Sequence, residues 1–138
     1  HGINASQTQN VLQAIHDILG KGGADVAVEA AGKPETMELA FNCVRVNGGL
    51  CVLAGNLAHG GRITLDPFDL IRGKRIVGTW GGETDPDRDI PEYARMYLKG
   101  ELNFNPLITH EYSLEQIEQA FSDLENGRLG RSVLLLQP

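Results

Sequence analysis

Basic residues, cysteine, aromatic side chains and long apolar runs are all scarce in this chain, and each scarcity excludes something. Lys and Arg together number 12 against 18 Asp and Glu, for a net charge of −6, and no Lys/Arg cluster is present. Neither a nucleic-acid backbone nor an anionic membrane surface would find its counter-charge here, so neither is expected as a partner. No apolar run approaches the roughly 18 residues of a membrane span. The first residues also lack the charged-then-apolar pattern of an export signal. The expectation is therefore a cytoplasmic chain with no membrane contact. Cys43 and Cys51 are the only cysteines. They are too few and too far apart for a structural zinc knuckle, and both fall in apolar runs, which predicts buried thiols. His16, His59 and His110 have no companions at metal-ligand spacing. There is no G-x-x-x-x-G-K-[ST] phosphate loop, no G-x-S-x-G elbow and no H-E-x-x-H. Small-molecule chemistry of another kind is left.

What is present is 41% hydrophobic content over 138 residues, enough for one sizeable core, and 17 glycines. Ser6 is a candidate N-cap for a first helix, in which Val11, Leu12, Ile15, Ile18 and Leu19 repeat at helical spacing until Gly20. The short run Asp25–Ala31, rich in Val and Ala and bounded by glycines, reads as a strand covered on both faces. Pro34 suits a first helical position, and Met37, Leu39, Ala40, Phe41 and Val44 carry the helix to the turn at Asn47–Gly48–Gly49. Leu50–Gly55 is a second apolar strand, which completes a βαβ unit.

The next segments predict a short edge strand at Ile63–Leu65, a turn or short helix at Asp66–Arg72 and a strand at Arg75–Trp80. A helix is expected from Pro91 to Gly100. Ser113–Gln116 reads as a capping box opening a helix through Ile117, Ala120, Phe121 and Leu124, stopped by Gly127. Ser132–Leu136 closes the chain as a strand. The fold class is α/β, an open, mostly parallel Rossmann-type sheet flanked by helices and incomplete in this chain.

Two features stand out against this frame. Glu29 puts a carboxylate at the carboxyl end of an otherwise apolar strand, where ligands bind in open α/β sheets. It reads either as a residue shaping a site or as a solvated group just past the strand. Three neighbouring strand ends also carry glycine, at Ala31–Gly32, at Ala54–Gly55 and at Gly78 with Gly81–Gly82. Glycine there lets a backbone or a ligand approach closely, and three together predict a crevice.

The series "GADVAVEAAG", "GGLCVLAG", "GKRIVGTWGG", "PLITHEYSLEQIEQAF" and "NGRLGRSVLLL", in this order and spacing, resembles the C-terminal portion of zinc-dependent medium-chain alcohol dehydrogenases. The resemblance covers nearly the whole chain. It implies that residues 1–100 are the second half of a dinucleotide-binding Rossmann domain and that 101–138 are segments packing with the catalytic domain of a complete family member. It implies NAD or NADP as cofactor and a small alcohol or aldehyde as substrate. Ala30, Ala31 and Gly32 match the strand end against adenosine and its ribose, and Ala54, Gly55 and Asn56 the strand end along the nicotinamide ribose. Thr79, Trp80 and Gly81 match the segment facing the carboxamide, and Arg131 an arginine on the pyrophosphate, for which a guanidinium fork is suited. For Glu29 the resemblance favours a structural role beneath the cofactor site.

The family's glycine-rich turn, its ribose-binding acidic residue and all its zinc ligands match nothing in this chain. No catalytic or metal residue is therefore expected within it, and His1 in place of an initiator Met suggests a fragment or isolated domain, inactive alone, of an NAD(P)-dependent zinc alcohol dehydrogenase. The alternatives are a zinc-free quinone or enoyl reductase of the same superfamily and a non-catalytic nucleotide-binding α/β module. Open backbone groups on an edge strand at Arg62–Leu65, where the family continues its sheet across a two-fold axis, predict a homodimer.

Overall fold

The computed structural model describes residues 1–20 and 22–136. The chain divides into two compact units, His1–Thr84 and Asp85–Pro138. The first unit is built on three parallel strands, β1 (Val26–Glu29), β2 (Leu50–Leu53) and β3 (Arg75–Gly78), in the order β1-β2-β3. Val26 pairs with Leu50 and Leu50 with Arg75, so the strands are in register from their first residues and end level. The crossover from β1 to β2 is α2 (Pro34–Cys43), opened by Pro34 at its first turn. Helix α1 (Val11–Leu19) packs on α2, and the short α3 (Pro67–Ile71) precedes β3.

The core of this unit is small. Phe41 and Cys51 are fully buried, with Ala40 and Val44 beside them and Ala27, Leu53, Leu65 and Ile76 packed around. Burial pushes the Cys51 thiol up to about 11 and raises that of Cys43, so both are protonated and unreactive at neutral pH. Helix α2 ends without a glycine cap, and Lys74 supplies what is missing. Its ammonium donates to the carbonyls of Phe41 (3.3 Å) and Asn42 (3.2 Å), pairs with Asp69 at 3.0 Å and lies 5.2 Å from the centre of the Phe41 ring. A cation at a helix carboxyl end is favoured by the helix dipole, and here it is buried with every donor used.

Several elements differ from the sequence expectations. The cap of α1 is Asn10, whose side chain accepts from the Gln13 N–H at 2.9 Å, while Ser6 donates to Asn4 inside a preceding turn. Asn10 stands directly before the periodic residues, which is where a cap must sit. The expected edge strand at Ile63–Leu65 forms no ladder. That segment is held to the side of α2, where Glu38 accepts the Thr64 N–H at 2.7 Å, and Leu65 turns in to the core. Strand β3 stops at Gly78, although the Thr79 N–H still donates to Leu53 O (3.0 Å) before the chain turns through left-handed Gly81 and Gly82.

The second unit holds α4 (Pro86–Leu98), the parallel pair β4 (Ile108–Ser113) and β5 (Arg131–Leu135), and α5 (Ile117–Glu125) between them. Helix α4 begins at Pro86 rather than Pro91. Both prolines suit a first turn, and the earlier one takes the role because Asp89 closes the turn by accepting the Asp85 N–H at 3.0 Å. Pro91 then removes one donor from an exposed helix, where water serves the freed carbonyl. The capping box is present in full, Ser113 with Gln116, leading through a 3-10 turn into α5. Strand β5 starts at Arg131, one residue before the expected Ser132. Asp123 ties α5 to β4 by accepting from Tyr112 (2.9 Å), Gln119 (2.9 Å) and Arg128 (3.2 Å).

Two outcomes are expected. Lys74→Met keeps the stem and removes the charge, leaving two α2 carbonyls without their donor, and should cost about 2 kcal/mol, the scale of hydrogen bonds to a charged group. An unchanged urea midpoint would count against this role. Asp123 is held below the ordinary aspartate range by Gln119 first, then Tyr112, with burial opposing and Arg128 adding. A depressed carboxylate contributes stability above its unfolded pKa and loses it as pH falls through the folded one. Asp123→Asn should therefore flatten the acid side of the stability profile, measured as urea midpoint against pH.

Candidate functional site

The carboxyl ends of β1, β2 and β3 lie side by side, and Glu29 sits where the first two meet. Its side chain is only 3% exposed and is the last residue of β1, not a solvated group beyond it. One carboxylate oxygen, Oε1, accepts from the Ala31 N–H (2.8 Å), the Gly32 N–H (2.8 Å) and the Thr36 hydroxyl (2.7 Å). Burial pushes the Glu29 pKa up, but these donors outweigh it, and the group is held below the ordinary carboxylate range. It is thus an anion at neutral pH, fixed by hydrogen bonds and unsuited to shuttling a proton. Its backbone carbonyl accepts in turn from the Ala54 (2.8 Å) and Gly55 (2.9 Å) N–H groups of the turn after β2.

The glycines at these strand ends serve two different purposes. A Cβ on Gly55 would stand 2.3 Å from the Gly32 nitrogen and 2.6 Å from Glu29 Oε2, and one on Gly32 would stand 2.4 Å from the Asn56 carbonyl oxygen. The turns after β1 and β2 therefore touch backbone to backbone, and these two glycines exist for each other. At Gly78, Gly81 and Gly82 a Cβ would meet nothing within 4 Å. That strand end is open, and its glycines serve the left-handed turn at 81 and 82.

The ten residues singled out from sequence fall into four places. Ala54, Asn56, Thr79, Trp80 and Gly81 line one pocket of about 320 Å³ across the ends of β2 and β3. Ala30 and Ala31 line a second of about 350 Å³ with Ile15, Glu29, Thr36 and Leu39. Both volumes are within the range of small-ligand sites. Gly32 and Gly55 form the contact between the two turns. Arg131 belongs to the second unit, exposed at the first position of β5, with its carbonyl accepting from the Thr109 hydroxyl at 3.2 Å. Thr36 carries no signal in the sequence, because a hydroxyl in the first turn of a helix is ordinary until its acceptor, seven residues earlier, is known.

The first pocket offers an amide side chain, a hydroxyl and an 85% exposed indole, a set suited to hydrogen bonding and stacking with a planar polar ring. In the first pocket no carboxylate or imidazole stands among the lining residues, and in the second the Thr36 hydroxyl donates to a Glu29 oxygen that two backbone N–H groups already occupy. Among the described residues no group of three or more His, Cys, Asp or Glu side chains is arranged to hold a metal ion, so a catalytic zinc does not fit the side chains found here. No helix among them is long and apolar enough to cross a membrane.

Comparison with known proteins agrees with this architecture. Residues 1–99 match the family described as zinc-binding dehydrogenase. "Alcohol dehydrogenase-like 5" of Arabidopsis thaliana is 36% identical over 124 residues, which is 90% of this chain and 32% of that protein. The benzyl alcohol dehydrogenase of Acinetobacter calcoaceticus superposes with a TM-score of 0.80 at 29% identity, over 96% of this chain and 36% of that one. A zinc-binding dehydrogenase of Sinorhizobium meliloti 1021, solved bound to NADP, superposes with a TM-score of 0.69 at 28% identity, over 87% of this chain and 34% of its own. The chain thus spans about a third of the length of the curated relatives it matches. With an open parallel sheet, glycine-closed strand ends and a family match over most of its residues, the chain belongs to the zinc-binding dehydrogenases.

Proposed function

We propose that this chain supplies the second half of the dinucleotide-binding domain of an NAD(P)-dependent alcohol dehydrogenase, with residues 1–100 in that domain and 101–138 packing with the catalytic part. The observation that carries the reading is the convergence of Ala54, Asn56, Thr79, Trp80 and Gly81 on one pocket at the carboxyl ends of parallel strands. Ligands of open α/β sheets bind at that end. The NADP held by the Sinorhizobium meliloti relative supports a dinucleotide as the ligand class.

In this reading Ala30, Ala31 and Gly32 flank the adenosine, and Ala54, Gly55 and Asn56 run beside the nicotinamide ribose. Thr79, Trp80 and Gly81 orient the carboxamide, and Arg131 contributes charge toward the pyrophosphate. When bound, the dinucleotide supplies the carbon that exchanges a hydride with an alcohol or aldehyde. The residues of this chain hold and orient it and shield one face of the ring from water. Zinc finds no ligand set among the described residues; a metal that polarises the substrate would be held by the complete enzyme through other residues. We further propose a homodimer in which the Arg62–Leu65 segments of two copies meet, with Thr64 of each segment held to its own α2 through Glu38.

Trp80 is the only tryptophan of the chain and nearly all of its surface is exposed. In the full-length protein, NADH or NADPH should quench Trp80 emission, and Trp80→Phe should remove that component without abolishing binding. Alcohol-dependent reduction of the oxidised dinucleotide, followed by absorbance, tests the reaction itself; absence of both signals would overturn the reading. Arg131→Ala should weaken dinucleotide binding by about tenfold, the scale of one charge-assisted contact. Unchanged affinity in a folded variant would remove Arg131 from the site. Ile63→Pro should shift the sedimentation distribution toward monomer, and an unchanged distribution would contradict the dimer.

A further inference from the structure

Glu29 is the one feature of the crevice whose position exceeds what strand formation requires. Although Val26 and Val28 leave one face of β1 exposed, Glu29 at its end is buried, and burying a carboxylate is costly unless it is fully bonded. Here a single oxygen gathers three donors from two elements, the Ala31 and Gly32 N–H groups after β1 and the Thr36 hydroxyl in the first turn of α2. The same residue's carbonyl takes the Ala54 and Gly55 N–H groups after β2. Its second oxygen, Oε2, is buried without a hydrogen-bond partner among the described residues and occupies the place that a side chain on Gly55 would need. The turn after β1, the first turn of α2 and the turn after β2 are thus each one hydrogen bond or one van der Waals contact from Glu29.

We propose that Glu29 is a positioning residue, its buried carboxylate holding the end of β1, the amino end of α2 and the turn after β2 in the single arrangement on which dinucleotide affinity depends. The proposal rests on the dinucleotide reading of the crevice. Glu29 acts through Ala31, Gly32 and Gly55, whose backbone groups its carboxylate and carbonyl hold. Length and charge both matter. An aspartate is one methylene too short to reach both Gly32 and Thr36. A glutamine keeps an acceptor for the three donors but puts an amide nitrogen where Oε2 now lies against Gly55, with no acceptor beside it. Binding sites lose affinity steeply when their walls are displaced by about 1 Å.

The test is a titration of the full-length protein with NADH and NADPH, run beside amide hydrogen exchange, on Glu29→Gln, Thr36→Val and the double variant. Glu29→Gln should weaken the dinucleotide by about tenfold or more, with a cooperative melting transition retained. Thr36→Val should weaken it less, and the double variant should be no worse than Glu29→Gln within about twofold, since both substitutions act on one oxygen. Exchange should quicken at Ala31 and Gly32 while Val28 and Val52 stay protected. Wild-type affinity in folded Glu29→Gln overturns the proposal. So does a loss of affinity that tracks general loss of protection across β1 and β2, because Glu29 would then only stabilise the sheet. A wild-type protein that binds neither dinucleotide overturns the reading of the crevice and this proposal with it, and is told apart by the absence of any binding to lose.

Discussion

Backbone-to-backbone contact between the turns after β1 and β2 is the constraint on which the rest of the first unit depends. It requires glycine at 32 and 55, because any Cβ would fall within about 2.4 Å of main-chain atoms of the opposite turn. It also requires a means of satisfying the N–H groups that such a close approach turns inward. Glu29 provides it, taking Ala31, Gly32 and Thr36 on its side chain and Ala54 and Gly55 on its carbonyl. A buried charge is tolerated because it is the acceptor around which two strand ends and a helix start are assembled.

A second buried charge does the equivalent work at the opposite end of α2. Lys74 closes the helix on the Phe41 and Asn42 carbonyls, while Glu29 engages its amino-terminal turn through Thr36. The helix is thereby held at both ends by ions of the sign its dipole favours, the anion at its positive end and the cation at its negative end. Between them lies a core of only a few buried side chains, Phe41 and Cys51 at its centre. The crevice at the strand ends inherits its geometry from these contacts.

Much of this was legible in the residues. The order of helices and strands follows from apolar spacing and from glycine and proline punctuation, and β1, α2, β2 and β3 stand within a few residues of expectation. Of the residues named at the ends of β2 and β3, Ala54, Asn56, Thr79, Trp80 and Gly81 line one pocket, while Gly55 packs against the turn after β1. What was not legible depended on partners distant in sequence. Ile63–Leu65 alternates like a strand, but Glu38 claims its backbone and the core claims Leu65, neither of which periodicity reveals. Pro91 and Pro86 compete for one role, and the choice turns on Asp89 closing the earlier turn. Nothing near Lys74 in sequence marks it as the group that closes α2, and the glycines at 32 and 55 read as openings for a ligand until each is found against the other turn.

The central claim is that the carboxyl ends of β1 to β3 form one wall of a dinucleotide site. A crystal structure of the full-length protein with NADH or NADPH tests it most directly. The account predicts a dinucleotide lying across these strand ends, with its nicotinamide against Thr79, Trp80 and Gly81 and its adenosine beside Ala30 and Ala31. A dinucleotide bound elsewhere, or none at saturating concentration in an otherwise ordered crevice, would contradict it.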